Sequence, residues 1–307
     1  MFESDTLTPF SIRPVAVEQK TTAAIHKKKV EVLGQKIAYL ELGIGTPVVF
    51  LHGNWCTSLL WRNIMPSLAS RYRCIALDLP GFGDSDALAG HSLESDFLPA
   101  QQRYLHAFLE RLGVTQQVTL VMFGMSTLIG CHWAYHNQER LRAIVHANGC
   151  FADASRLVGA EYIEQYRSED MRAYIRQSES FFDELLPALV RNPLDPAALA
   201  EYRRTFSSEN SRSESCFAWT ASLPSFGRPL QSHEQAAMYS AWLRFSQMPK
   251  LRVRPNCDLD DLTKSYQLVA DGFVNQQTVS IDSGWLIPED NPESFSSVLK
   301  DWLDDLS

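Results

Sequence analysis

Residues 118–130 read VTLVMFGMSTLIG. The continuous apolar run up to Phe123 is typical of a buried strand, and the residues after Gly124 fit the start of a helix. Strand and helix meet in a sharp turn whose central residue is Gly124. Because glycine has no side chain, the turn itself supplies no reactive group.

Strand-like and helical patterns alternate on both sides of this turn. Residues 93–112 place apolar side chains on one helical face, and Gly113 follows as a stop. Further strand-like runs lie at 27–34, 35–43, 46–53, 71–79 and 141–149. Alternation of this kind predicts an α/β fold with a mostly parallel sheet and helices on both faces.

The sequence changes character after the first strand-rich part. Residues 152–245 are acidic, rich in aromatic side chains and helical in their spacing, and strand patterns resume only after them. We therefore predict an N-terminal extension (1–27), a core in two parts (28–151 and 246–307) and an inserted helical cap (152–245). Since open α/β sheets bind ligands at their strand ends, a cap above those ends implies an enclosed pocket.

Composition limits the partners and the compartment. The 307 residues carry a net charge of −8, and the one basic run, HKKK at 26–29, is interpreted as a solvated strand edge. We therefore expect neither nucleic acid nor a membrane as a partner, although a homodimer is compatible with the sequence. The six cysteines lack metal-type spacing and are interpreted as free thiols. With no signal-peptide pattern and no spanning apolar run, we expect a cytoplasmic protein without metal or cofactor.

Three segments carry a resemblance to a known family. Residues 48–86 contain HGN, LWRNIMP and DLPGFGDSD, and the segments at 231–251 and 282–303 continue the pattern. Over about residues 28–305 the chain resembles the α/β-hydrolase fold superfamily, and its haloalkane dehalogenase branch in particular. The resemblance implies a nucleophile on the turn, a histidine near the C-terminus that activates water, and a carboxylate that orients this histidine. It also implies a halide site formed by the Asn of HGN and a Trp beside the nucleophile.

The sequence departs from that family at the reacting positions. Aligned with the family, Gly124 stands at the nucleophile position and Trp285 at the histidine position. Asn148 stands at one carboxylate position, and Asp258 matches the alternative one only approximately. Loss of nucleophile and base together would exclude covalent catalysis, because a covalent intermediate could neither form nor be hydrolysed.

Other reactive side chains are assigned mainly structural roles. Centring the turn on Ser126 would put Leu128 where the close packing of strand and helix needs a small residue. Cys56 lies near the predicted pocket mouth, but no histidine is predicted beside it, so its thiol would stay protonated at neutral pH. Core or edge roles are assigned to His52, His132 and His146.

The predicted pocket keeps few polar groups. Asn54 retains a side-chain amide, and the backbone N–H of Met125, with one from the 54–55 region, can form a pair of donors like an oxyanion hole. We predict Asn54 as a catalytic donor, and Asp258 as an acid or base if it is desolvated. Residues predicted to line an apolar chamber are Trp55, Cys56, Met125, Phe151, Phe181, Phe182, Phe217, Trp219, Tyr239 and Trp285.

Two classes of function fit these features. The first is a cyclase, isomerase or pericyclase for a hydrophobic small molecule, of the kind used in natural-product biosynthesis, in which folding of the substrate replaces covalent chemistry. The second is a ligand-binding or scaffold pseudoenzyme. A hydrolase or dehalogenase with a relocated nucleophile is a third. We favour the first, because large aromatic residues at formerly small polar positions indicate a reshaped cavity.

Overall fold

The computed structural model describes residues 26–88, 97–151, 167–177, 181–206, 212–224, 230–257 and 268–306. Its strands are β1 (Lys28–Val32), β2 (Gln35–Leu42), β3 (Thr46–Leu51), β4 (Tyr72–Leu77), β5 (Val118–Phe123), β6 (Leu141–Ala147), β7 (Lys250–Pro255) and β8 (Gln276–Ile281). These eight strands form one sheet in the order β1-β2-β4-β3-β5-β6-β7-β8.

The sheet is mostly parallel, with an antiparallel edge. Strand β2 is antiparallel to both of its neighbours, β1 and β4, whereas every pairing among β3 to β8 is parallel. Leu51, the last residue of β3, pairs with Leu77 in β4 and with Met122 in β5. The parallel strands therefore end near one another, and the loops that follow β3, β5 and β6 open at the same edge. The predicted fold class is confirmed.

Helices flank this sheet. They are α1 (Met65–Leu68), α2 (Phe97–Arg111), α3 (Ser126–His136), α4 (Glu169–Gln177), α5 (Phe181–Ala188), α6 (Pro196–Thr205), α7 (Arg212–Ala221), α8 (Leu230–Phe245), α9 (Ile287–Asp290) and α10 (Pro292–Asp305). Short 3-10 helices cover Ser58–Trp61 and Gln138–Arg140. Helix α2 begins within the predicted span 93–112, and its apolar face is buried at Phe97, Leu105, Phe108 and Leu109.

Between β6 and β7, every regular secondary-structure element that the structure describes is a helix. Helices α4 to α8 lie there, in the span predicted as the cap, and residues 152–166 fall outside the described part. The division into extension, two core parts and cap stays a prediction. None of the described helices is long and apolar enough to cross a membrane.

The basic run at 26–29 is only partly the solvated edge that we predicted. The ammonium group of Lys27 lies 2.8 Å from a carboxylate oxygen of both Asp78 and Asp84, and its side chain is 13% exposed. The Lys28 side chain is 57% exposed. The reason for the difference is Asp78, a fully buried carboxylate that needs a nearby cation to offset its desolvation.

Candidate active site

The turn after β5 has the backbone of an elbow. Gly124 has a φ of +60°, in the left-handed region where an L side chain is strained. Its N–H donates to the Ala147 carbonyl at 2.9 Å, and its own carbonyl accepts from the Thr127 hydroxyl at 2.9 Å. Both sides of the turn are thereby fixed to neighbouring elements, so the elbow is rigid although it carries no side chain.

The ring of Trp285 lies opposite Gly124. A Cβ built on Gly124 would lie 3.8 Å from the Trp285 Cη2 atom, an ordinary contact distance. The ring packs edge-on against Phe123, with ring centroids 4.8 Å apart. An indole therefore stands close to the space that a side chain at position 124 would enter.

Asn148 holds the main chain of Trp285. It follows β6 with a φ of +50°, and its side-chain amide donates to the Trp285 carbonyl at 2.7 Å. The carboxamide at this position thus orients a backbone group. The structure brings the three predicted degenerate positions, Gly124, Asn148 and Trp285, together at one edge of the sheet. That these were the family's reacting positions stays a prediction.

Asn54 contacts the cap helix α7, and this revises its predicted role as a free donor. Its side-chain nitrogen donates to the Cys216 carbonyl and to the Thr220 hydroxyl, each at 3.1 Å. Its side-chain oxygen accepts from the N–H of Trp55 at 3.0 Å. Because a carboxamide has only two N–H hydrogens, both donors are in use when α7 is in place.

Trp55 and Met125 are accessible at the same edge. Both are partly exposed, and so are Asn54, Asn148 and Trp285, whereas their neighbours Cys56 and Ser126 are buried. Within the described residues, the Met125 N–H at the amino end of α3 has no hydrogen-bond acceptor. Trp55 has a strained φ of +62°. We call Asn54, Trp55, Gly124, Met125, Asn148 and Trp285 the elbow site.

Two nucleophilic side chains near the elbow site, those of Ser126 and Cys56, are buried. The Ser126 hydroxyl lies within 3.0 Å of the Phe123 N–H and of the Leu51 and Phe123 carbonyls, and the residue is fully buried. Burial raises the pKa of the Cys56 thiol well above its usual range, and the charge of Glu289 raises it further. In this arrangement neither group is available as a nucleophile.

The predicted core histidines make internal contacts. His52 accepts from the Leu79 N–H through Nε2 and lies 2.8 Å from the Gly53 carbonyl through Nδ1. His146 bonds to Gln276, and the His132 ring bonds to the Tyr239 hydroxyl at 2.8 Å. Burial lowers the pKa of all three to about 4. They are therefore neutral near pH 7.

Several predicted chamber residues have contacts typical of packing. Phe151 is buried against His146 and Phe273, and Trp219 is buried against Phe82. Tyr239 joins α8 to α3, and Phe217 lies beneath the Arg172 guanidinium. Asp258, and the side chains of Phe181 and Phe182, lie outside the described residues. The chamber roles of all these residues stay predictions.

A buried polar cluster that joins α9 to α6 and to Arg62, after the 3-10 helix Ser58–Trp61, was missed by the sequence analysis. Glu289 is fully buried, and the Arg62 guanidinium pairs with both of its carboxylate oxygens. The Tyr202 hydroxyl on α6 donates to the same carboxylate at 2.6 Å. Asp290 accepts from the backbone N–H of Arg191 at 3.0 Å. We call Arg62, Arg191, Tyr202, Glu289 and Asp290 the cap junction. Its only signal in the sequence was the pair of adjacent acidic residues that follows the apolar stretch WLIP at 285–288.

Comparison with known proteins identifies the family. The family model of the α/β-hydrolase fold matches residues 46–295. A haloalkane dehalogenase of Sphingobium indicum is 31% identical over 281 residues, which cover 89% of this chain and 93% of the relative. A haloalkane dehalogenase of Mycolicibacterium smegmatis is 25% identical over 281 residues, covering 89% of each chain. The crystal structure of the haloalkane dehalogenase DatA from Agrobacterium tumefaciens superposes with a TM-score of 0.80 at 28% identity, over 92% of this chain and 97% of that one.

The sheet order and the position of the elbow are those of the α/β-hydrolase fold. The chain belongs to the α/β-hydrolase fold family and is similar to its haloalkane dehalogenases. These relatives are enzymes.

Proposed function

We propose that this chain is a non-hydrolytic enzyme of its family, a cofactor-independent cyclase, isomerase or pericyclase for a hydrophobic small molecule. We place this activity in the cytoplasm and in natural-product biosynthesis. The observation that carries the proposal is the Trp285 ring beside Gly124. The elbow therefore has no nucleophile at position 124 and no base at position 285.

The neighbouring groups support a site without covalent chemistry. Ser126 and Cys56 are buried, and the pKa of the Cys56 thiol is raised, so neither replaces a nucleophile on the elbow. Asn148 is neutral and hydrogen-bonded to the Trp285 backbone, so it offers no carboxylate to orient a base. A reaction at this site therefore has to proceed without an enzyme-bound intermediate.

The groups that remain suit a reaction controlled by shape. The rings of Trp55 and Trp285 give apolar, partly exposed surfaces. Such surfaces can hold a flexible substrate in a folded conformation close to that of the transition state, which lowers the entropic part of the barrier. The Met125 N–H, without an acceptor in the described residues, can stabilise negative charge that develops on a substrate carbonyl.

One observation favours a second candidate, a ligand-binding pseudoenzyme. The Asn54 amide donates to α7 rather than standing free, so the elbow site has fewer polar groups for catalysis than the sequence suggested. A purely binding site needs apolar contact but no aligned donor. The two candidates share the site and differ in whether the bound molecule reacts.

The experiment uses Nile red as a neutral binding probe and a panel of linear polyene ketones as test substrates. We expect Nile red to bind, and Trp285→Ala to weaken its binding, whereas Trp242→Ala, which removes a ring packed on Tyr135, should not. At least one ketone should cyclise or isomerise faster than in buffer, with a rate that varies little between about pH 6 and 9. Trp285→Ala should then change the isomer ratio measured by chromatography.

The outcomes separate the candidates. If Nile red binds through Trp285 but every ketone gives the rate and isomer ratio seen in buffer, the pseudoenzyme replaces the enzyme. If Trp285→Ala affects neither binding nor products, the elbow site is not the functional site and both candidates fail.

A further inference from the structure

A cavity lies away from the elbow turn, among α2, α3 and α8. Its volume is about 630 Å³, within the range of about 300 to 1,000 Å³ that is usual for small-molecule sites. Its polar lining includes Gln102, Arg103, His106, His132, His136 and Gln235, and Leu33, Pro99, Ala107 and Trp133 supply apolar surface. We call this cavity the α2–α3–α8 groove.

The lining of the groove has an unusual charge composition. The chain has 36 acidic and 28 basic residues, yet the described residues that line the groove include an arginine and three histidines and no Asp or Glu. The polar part of the lining thus consists of hydrogen-bond donors and potential cations, although the net charge of the protein is negative.

Among the described residues, Arg103, His106 and His136 in the groove have no hydrogen-bond or ion-pair partner, and His132 has one. Within the described part of the chain, Arg103 forms no salt bridge or hydrogen bond, and the same holds for the ring nitrogens of His106 and His136. His132 uses Nδ1 for the Tyr239 hydroxyl, while its Nε2 has no protein partner. An arginine without a carboxylate, beside three histidines, is a site that an anionic group can complete.

The polar floor of the groove is rigid. The Gln102 side chain on α2 donates to the Gln235 side chain on α8 at 2.8 Å and to the Leu128 carbonyl on α3 at 3.1 Å. Gln235 donates back to Gln102 at 3.3 Å. These bonds connect all three helices, so Arg103 and the histidine rings lie on a preformed surface that a ligand would not have to organise.

Metal binding is the competing use of three histidines. No group of three or more His, Cys, Asp or Glu side chains in the described residues is arranged to hold a metal ion. The His132 and His136 rings lie 4.7 Å apart, so protonating both is unfavourable unless a negative charge lies nearby. A bound anion supplies that negative charge, and it does not need the arrangement of side chains that a metal ion requires.

We propose that the α2–α3–α8 groove binds a small organic anion, whose carboxylate or phosphate group contacts Arg103 and the three histidines. The rest of the ligand packs against the apolar lining, which includes Leu33 and Trp133. This site is separate from the elbow site in its residues and in the chemistry of its ligand, and it does not depend on the proposed reaction.

Titration calorimetry with phenyl phosphate, benzoate, benzamide and inorganic phosphate tests the site in the full chain. We expect phenyl phosphate or benzoate to bind, and benzamide, the neutral analogue of benzoate, not to bind. Arg103→Gln should weaken binding about tenfold, the scale of a lost charge-assisted hydrogen bond. Arg111→Gln removes the same charge from the same helix outside the groove and should leave the affinity unchanged.

The pH dependence supplies an independent measurement. The groups that face His132 are His136 from its own helix, His106 and Arg103 from α2, and Tyr239 from α8. Burial, with the neighbouring His136 and His106, lowers the pKa of His132 to about 4, and a bound anion favours the protonated ring, so the affinity should rise as the pH falls from about 6 towards about 4. His132→Gln should reduce this dependence.

Each outcome decides for or against the proposal. Tighter binding of phenyl phosphate than of inorganic phosphate supports an organic ligand that uses the apolar lining, whereas equal binding would identify the inorganic ion as the ligand and overturn the proposal. Equal losses in Arg103→Gln and Arg111→Gln, benzamide binding as tight as benzoate, or no binding of either organic anion would overturn the proposal.

Discussion

The segment from Gly284 to Asp290 contributes residues to two regions of the molecule, one apolar and one charged. At one end Trp285 belongs to the elbow site, which keeps a strained backbone and accessible aromatic surface but has no ionisable side chain among its described members. At the other end Glu289 and Asp290 belong to the cap junction, where buried carboxylates are matched by an arginine, a tyrosine hydroxyl and backbone donors. Charged groups in this part of the molecule therefore form buried hydrogen bonds and ion pairs that join α9 to other elements, whereas the elbow site presents partly exposed apolar surface.

The largest effect is expected from breaking the cap junction. Glu289→Gln leaves the Arg62 guanidinium buried without a charge partner, so we expect a loss of about 3 to 5 kcal/mol in the free energy of unfolding. Urea denaturation measures this loss. Glu139→Gln, which changes a side chain that is 71% exposed, should alter the free energy of unfolding by less than about 0.5 kcal/mol. Similar values for both variants would mean that the junction does not anchor the cap.

Acid should weaken the core through its buried histidines. Burial lowers the pKa of His146 from 6.5 to about 4 in the folded protein. Because the folded-state pKa is depressed, the stabilising contribution is complete above about pH 6.5 and is lost as the pH falls towards about 4. The slope for one such histidine approaches about 1.4 kcal/mol per pH unit.

The variant His146→Gln should remove the contribution of His146 to the pH dependence of the free energy of unfolding. Its side chain can still hydrogen-bond to Gln276, while the proton uptake on unfolding disappears. Urea denaturation between about pH 4 and 7 measures the difference. A variant with the wild-type slope would show that His146 does not titrate with folding.

A smaller effect is expected from adding a methyl group at the elbow. Gly124→Ala should cost about 1 kcal/mol, because its φ of +60° strains an L residue while Trp285 leaves room for the Cβ. Gly113→Ala is the matched control, since this glycine has a φ of +65° and open space around it. A much larger loss for Gly124→Ala, measured by urea denaturation, would mean that the elbow is already filled.

Introducing the reacting groups that the family resemblance implies should have almost no catalytic effect. We expect the double variant Gly124→Asp, Trp285→His to fold but to release halide from haloalkanes no faster than wild type. Asn148 supplies no charge to orient the new histidine, and Asn54 already donates to α7. Halide release followed by ion chromatography measures this. Efficient turnover would show that only two side chains separate this chain from its dehalogenase relatives.

The strands of the sheet could be predicted because each one is indicated by the residues of its own short segment. Each buried strand is a short apolar run, and the helix over Phe97–Arg111 has its own face of apolar residues and a glycine stop. These patterns need no knowledge of distant residues. The same holds for the turn at Gly124, whose position between strand and helix is visible in the sequence.

The site could be predicted only in part, because its roles depend on distant partners. Asn54 bonds to residues more than 160 positions away on α7, and no periodicity reveals that its amide is in use. Glu289 looks like a surface residue until Arg62 and Tyr202 enclose it. Lys27 likewise becomes buried only through Asp78 and Asp84.

The most direct test of the account is halide release by the wild-type protein. We predict that incubation with a panel of bromoalkanes gives the same halide concentration as buffer, and that intact-mass spectrometry detects no alkylated protein, since the elbow site has no nucleophile on Gly124. A characterised haloalkane dehalogenase serves as the positive control. Halide release well above buffer, abolished by Ser126→Ala or by Cys56→Ala, would contradict the account and reveal a relocated nucleophile.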